Sequence, residues 1–506
     1  MSEPESSHPS VADARRIAKG TSIGAVGGVA TALFMLGYAA AAGRSLGEQG
    51  FGLLALATVI YTVVAETADL GLDFGVIRYG AGVYQDGRMP ELRGLVRAGL
   101  VRVWVAGIAF AVILEALAGV VVGDLLGHPD AVEPVRIMAI AIPFAASTDV
   151  ITAGLKARQT VRESTFVLQI FNPGGRLATA IVLGVAGGGL IAFSVAFMAV
   201  EIATTLVAAA LAWRPVLTGK VRVRRSDVLS MAGYSWPLSL NRALLYTNNQ
   251  TEIILLGVFG TAALIGIFQA ALQVALLTAA ILAAVSAIFS PVVAAALSTR
   301  DHDRVQAMYA TTTKWSLMIG LPYFLFVVTH SHEIMGLFGP GFTAGAEALA
   351  ILTLGRLVDL ATGSVAAVLV MAGYSRLSLI NSLIFLATSV VGDVILIPRY
   401  HLVGAAVASA IAVVLVNVLR VGQVWHLLHV QPFRWRLIGV VAAGLIALPV
   451  TLLLPDVAGR PAIQMLIELA LAAVIYLPAL WLLAVDETDR QVLAGVRRGR
   501  AQMADR

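Results

Sequence analysis

Three arginines fall near the middle of long hydrophobic stretches: Arg176, Arg242 and Arg356. A charge at the centre of a bilayer costs about 2.5–3.5 kcal/mol on insertion scales, so it faces a partner or a cavity. A guanidinium there suits an anion, because its planar fork donates two parallel hydrogen bonds to carboxylate or phosphate oxygens. Arg242 lies in WPLSLNRALLYTNNQTE (236–252), the most polar of the apolar stretches, and is expected to line a central cavity. Arg176 follows Pro173, Gly174 and Gly175. A missing N–H and two flexible residues predict a helix break at that point. Arg356 has Asp359 at i+3, which predicts a local ion pair. Asp149, Glu201 and Glu252 are acids at or near mid-stretch, candidates for pairing with these arginines or for carrying a coupling proton.

A denser cluster is ETADLGLDFGVIRY (66–79). Glu66, Asp69 and Asp73 stand at i, i+3 and i+7, one face of a helix, and Arg78 follows Gly71 and Gly75. The stretch reads as the cytoplasmic end of a span, where long side chains reach water. The glycines let the chain turn, 72–97 continues as a loop, and Arg78 guards the entrance against an anionic head. HSHE (330–333) reads as a solvated outer loop, with no metal site expected. Nucleophile–base pairs, P-loops and dinucleotide fingerprints are absent, so neither an enzyme nor a cofactor is expected.

The elements that hold these residues must be membrane helices. The chain has 506 residues, 58% of them hydrophobic and 13% charged, against roughly 25% charged in soluble domains. Mean hydropathy is +0.87. There is no cysteine, hence no disulfide framework. The first fourteen residues are polar and acidic, unlike a secretory leader, and the first apolar stretch is long enough to span. About 20 apolar residues cross a bilayer. About fourteen stretches qualify: 20–43, 50–70, 99–122, 135–156, 165–187, 189–213, 229–258, 262–288, 312–330, 345–372, 378–397, 402–427, 436–455 and 461–485.

With the N-terminus in the cytoplasm, about 28 Lys and Arg fall on inner segments, Arg420 among them, against 4 on outer ones and three in mid-span. Both termini are therefore expected in the cytoplasm, and the basic balance is membrane topology rather than nucleic-acid binding. The halves also resemble each other. SLGEQGFGLLALA (45–57) aligns with VFGTAALIGIFQA (258–270), and 191–200 falls on 404–413, both at an offset of 213 residues. Six spans separate the copies, so the repeat is parallel, with an axis along the membrane normal and a site between two lobes.

The expected fold is all-α and polytopic. A polar tail (1–14) precedes a first six-helix lobe (15–214), a basic linker (215–228), a second lobe (229–430), two added helices (431–485) and a basic tail (486–506).

GRSLGEQGFGLLALATVIYTVVAETADLGLDFGVIRYGA (43–81) resembles the first hairpin of the Wzx-like oligosaccharide flippases, a family of polysaccharide-biosynthesis membrane proteins. Leu46, Gly47, Phe51 and Gly52 match the family's elbow, and Asp69, Leu70, Gly71, Leu72 and Arg78 its DLGL and following arginine. LFGPGFTAGAEALAIL (337–352) and VILIPRYHLVGAAVASAI (394–411) are similar too, and the likeness covers most of 15–430. The superfamily also holds multidrug antiporters and lipid II flippases.

The resemblance implies a cell-membrane transporter that flips an undecaprenyl-pyrophosphate-linked oligosaccharide by alternating access, alongside a polysaccharide polymerase and glycosyltransferases. Its anionic head would suit Arg242, Arg176, Arg356 and Arg78. Two departures stand out. The span 20–43 carries no charge where lipid II flippases have arginine, and Asn248, Asn249 and Glu252 stand where relatives place aspartate. The competing readings are a small-cation exporter of the same fold, a lipid II flippase, and a membrane glycosyltransferase or polymerase. The enzyme would need a large outer loop, and no outer loop exceeds about fifteen residues by the span count.

Overall fold

The computed structural model describes residues 11–299, 301–453, 461–486 and 489. Most of the expected tails, and with them the membrane side of the two termini, lie outside those residues. Every regular element described is a helix. The first half holds α1 (Val11–Ala68), α2 (Leu72–Gln85), α3 (Met89–Ala118), α4 (Val132–Ala139), α5 (Ile142–Ala157), α6 (Val161–Thr165), α7 (Asn172–Ala186) and α8 (Leu190–Ala212). The second holds α9 (Arg225–Asn249), α10 (Thr251–Phe259), α11 (Ala262–Ala275), α12 (Leu277–Ser298), α13 (His302–Thr329), α14 (Ser331–Gly336), α15 (Ala346–Thr362), α16 (Val365–Met371) and α17 (Ser375–Leu428). Two further helices, α18 (Arg436–Leu453) and α19 (Pro461–Leu483), close the chain.

Among the described residues, seven helical stretches are long and apolar enough to cross a membrane, or nine if each of two bent pairs is one span. The chain is an all-α polytopic membrane protein. The tally is lower than about fourteen partly because two stretches, Val26–Ala68 and Ser375–Leu428, run through bends at Gly47 and His401 and are counted once each. α9, with Arg225, Asp227 and Arg242, is not among the seven, and Arg436–Pro449 is too short. Lipid-side and core helices differ as a bilayer requires. Residues 51–57 of α1 are buried without a break, whereas α3 exposes Val101, Val105, Ile108 and Val112.

Close backbone approach joins α1 to α11. A side chain at Gly52 would collide with the Ala262 carbonyl, and one at Gly266 with the Glu48 carbonyl. Small residues are what allow membrane helices to pack this tightly. The contact is reciprocal, since each glycine meets the carbonyl four residues before the other. The spacing from Gly52 to Gly266, 214 residues and so one more than the 213 of the sequence alignment, also separates two pairs of positive-φ turns: Gln159 (62°) from Gly373 (88°), and Gly187 (72°) from His401 (47°).

Three local expectations change. Residues 72–85 are helix, not loop. Leu70 and Gly71 both take positive φ (54° and 64°), so the chain turns within two residues and helix resumes at once. The NPGG segment does not break its helix. The backbone widens to a π-helical turn over Phe166–Phe171 that runs straight into α7 at Asn172, and this wider turn accommodates the missing N–H of Pro173. His330 is not solvated. It ends α13, stacks on Phe326 (4.7 Å between ring centroids), and its Nε2 lies 2.5 Å from Glu468 Oε2 on α19. Near the middle of α13, Lys314 Nζ donates to Asp489 (2.6 Å) and Asp486 (2.8 Å), and Trp315 Nε1 donates to Asp489 (2.8 Å). Partial burial raises the Asp486 carboxyl, but the Lys314 ammonium and the Asp489 backbone N–H outweigh it and bring it down to about 2.

Candidate functional site

Helix α2 lies directly on α9. A side chain at Gly71 would strike the Ser235 carbonyl, and one at Gly75 the Ser235 hydroxyl. Farther along, Arg78 sits 4.3 Å over the Tyr234 ring and the Tyr79 hydroxyl reaches the Ser230 carbonyl (3.4 Å). Arg78 is exposed and lines a 440 Å³ surface pocket with Arg88, Arg222 and Arg224.

At the head of this seam the structure brings the acidic face of 66–73 onto Arg242. Its Nη1 and Nη2 grip Asp73 bidentately (3.1 and 2.9 Å), Nη2 also meets Asp69, and Nε ion-pairs with Glu66 Oε2 (3.1 Å). Phe74 packs below the guanidinium at 4.9 Å. Asp69 is fully buried. The expectation that these acids reach water is therefore corrected for Asp69: its partner comes from a helix 173 residues away. Arg242 joins the two halves of the chain, and three carboxylates surround it.

Arg176 has a different setting. Its Nη2 donates to Glu201 Oε1 (2.6 Å), which also accepts from Asn172 Nδ2 (2.8 Å), and the guanidinium lies 4.1 Å over Phe197. Its buried Nε has no hydrogen-bond partner. Arg176 borders two cavities. One, of about 260 Å³, lies between the halves, with Tyr38, Thr58 and Thr62 facing Tyr246, Gln250, Gln269 and Gln273. The other, of about 180 Å³, lies within the first half among Tyr61, Glu66, Asp149, Asn172, Glu201 and Thr204. Asp149 has no ion pair among the described residues, and the Tyr61 hydroxyl is buried without a partner.

Arg356 pairs with Asp359 (3.3 Å), whose other oxygen accepts from Asn417 (2.5 Å). Asp359, Asn417 and Arg420 line a third cavity of about 280 Å³ in the second half. Arg420 had been placed among inner-surface charges. It also lies within the apolar stretch 402–427, and α17, which runs to Leu428, carries it with its side chain bordering this cavity. Glu252 is buried against Ser389 (3.5 Å). Near it lies fully buried Asp393, whose two oxygens have no hydrogen-bond partner in the described structure. Asp393 was missed, although it is the one charged residue in 378–397 and the same rule on intramembrane charges flags it. Among the described residues no group of three or more His, Asp or Glu is placed to hold a metal.

Residues 42–340, more than half of the chain, match the family described as "Polysaccharide biosynthesis protein". The chain belongs to that family. Among its relatives is the probable low-salt glycan biosynthesis flippase Agl15 of Haloferax volcanii, 23% identical over 402 residues, covering 78% of this chain and 80% of the relative. Two solved structures share its fold. One is the lipid II flippase MurJ in an inward closed conformation (TM-score 0.69, 13% identity, 94% of this chain and 98% of the other). The other is an inward-facing multidrug resistance MATE transporter (TM-score 0.65, 14% identity, 78% and 94%). Membership in this polysaccharide and oligosaccharide flippase family fits a helical carrier with cavities between and within its halves.

Proposed function

We propose that this family member flips a lipid-linked glycan across the cell membrane by alternating access, holding the diphosphate of an undecaprenyl-pyrophosphate carrier at Arg176. The observation that carries the reading is the Arg176 guanidinium itself. It borders both the cavity between the halves and the one beside it, and keeps an unpartnered buried donor. A buried donor left unsatisfied is costly, and an anionic oxygen is the partner it suits. Residues 15–214 and 229–430 would form the two lobes, with 215–228 as linker and 431–485 as the added pair. The 214-residue register of turns and the reciprocal Gly52–Gly266 contact support that division and a count of about fourteen spans. Both termini are proposed to be cytoplasmic, with a polymerase and glycosyltransferases as partners. Glu252 and Asp393, buried together without a cation in the described structure, are the proposed coupling acids.

One observation favours a second reading, export of a small organic cation: the cavity beside Arg176 holds Glu66, Asp149 and Glu201 against that single arginine. Reconstitution separates the two. Arg176→Gln combined with Glu201→Gln keeps the pair neutral and should slow flipping of a lipid diphosphate sugar by about tenfold or more, the value of one charge-assisted bond of about 1.5–3 kcal/mol. An unchanged rate, together with efflux of an organic cation, would put the exporter first.

A further inference from the structure

We infer that the second half of the chain carries an anion subsite of its own at Arg420, able to hold a phosphoryl group in the 280 Å³ cavity walled by Thr278, Ser364, Asp359 and Asn417. The inference rests on the flippase reading and adds to it a second place where the substrate's diphosphate can be held. Arg420 makes no ion pair among the described residues. The one carboxylate lining the cavity, Asp359, is already occupied on both oxygens, by Arg356 (3.3 Å) and Asn417 (2.5 Å). Two guanidinium groups therefore share one carboxylate, and the local balance is positive. Orientation by the positive-inside rule would account for an arginine at a helix end. It does not account for one bordering a largely apolar cavity beside α17, where an uncompensated charge is expensive.

The internal register points the same way. At the 214-residue offset, Ala65 and Asp149 of the Arg176 cavity correspond to Ala279 and Gly363, which line the Arg420 cavity. The two cavities are thus counterparts. The three acids of the first, Glu66, Asp149 and Glu201, correspond to Ala280, Gly363 and Leu415. The second copy has no acid at any of these places; its one acid, Asp359, stands at the counterpart of Ala145, Val390 stands at the counterpart of Arg176, and its arginine is Arg420. The cavity's single acid is already paired with Arg356, and its guanidinium, which has no ion pair among the described residues, is the charged donor left for a phosphoryl oxygen. Its ligand is phosphate in chemistry, whether as a free ion or as the headgroup of an isoprenyl diphosphate lipid.

The test is binding stoichiometry on the full chain in nanodiscs of zwitterionic lipid, titrated separately with inorganic pyrophosphate and with a short isoprenyl diphosphate. Wild type should bind two equivalents. Arg420→Gln should weaken one of them about tenfold or more, with Arg420→Lys intermediate because lysine keeps the charge and loses the fork. Arg176→Gln should weaken the other. Retention of the Arg176 equivalent in Arg420→Gln shows that this variant is folded. Two equivalents of the lipid and none of pyrophosphate would support a headgroup site; two of each would support a general phosphate site. If Arg176→Gln removes an equivalent and Arg420→Gln removes none, the Arg420 subsite is wrong and the flippase reading stands. If neither variant changes binding of either probe, both are wrong.

Discussion

The cavity beside Arg176 and the cavity beside Arg420 are built at matching places in a repeated architecture, and their charges have diverged. In the first, Glu66 reaches across to Arg242, Glu201 holds Arg176, and Asp149 is left without an ion pair among the described residues. In the second, the equivalent positions are Ala280, Leu415 and Gly363, and a single acid, Asp359, lines the cavity with Arg420. The backbone repeat therefore supplies two similar vessels, and a few side chains decide what each can hold. A membrane charge reveals that it has a partner; whether that partner is protein or ligand depends on which donors the fold leaves over. Arg242 faces three carboxylates, whereas Arg176 faces one.

The largest effect expected comes from removing the charge that both joins the halves and restrains the acids of the first cavity. Arg242→Ala would strand Glu66, Asp69 and Asp73. Breaking a buried pair by deleting one partner costs about 3–5 kcal/mol, so the purified variant should melt markedly lower. Adding Asp69→Asn and Asp73→Asn should recover much of that loss. If Arg242→Ala melts with wild type, the three contacts are idle and a direct role on substrate returns.

Asp149→Asn should act the opposite way on function. Neutralising the unpaired acid ought to tighten diphosphate binding at Arg176 by about tenfold or more, since one unit charge at several ångströms in an effective dielectric of about 20 is worth about 2 kcal/mol or more. Binding at Arg420 should not move. A loss of affinity at Arg176 would mean that Asp149 positions the site instead of opposing the ligand.

The smallest effect belongs to the ion cluster outside the spans. Asp486 has its carboxyl held at about 2, below its ordinary value of about 3.9. A depressed carboxyl stabilises the fold above its unfolded value, and that contribution fades as pH falls from about 4 to about 2. Asp486→Asn should cost under about 1 kcal/mol, since the group is partly open to solvent. Thermal melts of wild type and variant should differ slightly at pH 6 and converge at pH 2.

Much of this architecture can be read from hydropathy, because lipid leaves few choices for twenty apolar residues in a row. Among the described residues, helix covers the apolar stretches apart from short turns within some of them and a residue or two at several edges. The partners of charged residues were harder to read. Glu66, Asp69 and Asp73 were recognised as one face, yet nothing local says that the opposing cation stands at 242. Helix α2 was hidden by Gly71, Gly75, Gly80 and Gly82, which look like loop residues until Gly71 and Gly75 are seen to admit the α9 backbone. NPGG read as a break because Pro173 and its glycines weaken a helix, but the preceding π turn absorbs the disturbance. Arg420 and Asp393 were visible as charges in apolar helices and needed only a cavity to give them meaning.

Polar contacts fasten α13 at two levels, His330 to Glu468 of α19 and Lys314 to Asp486 and Asp489 just past the end of α19, and act as rivets. Lys314 and His330 are sixteen residues apart, roughly 24 Å along a helix at 1.5 Å per residue. A rod fastened at two points that far apart can neither roll nor slide on its neighbour without breaking a buried bond. α19 must therefore travel with α13 as a single lever, and the α18–α19 hairpin adds its lipid-facing surface to one half of the carrier only. A rocking carrier built this way would feel more viscous drag on one arm than on the other, so its two strokes need not be mirror images even though its backbone repeats.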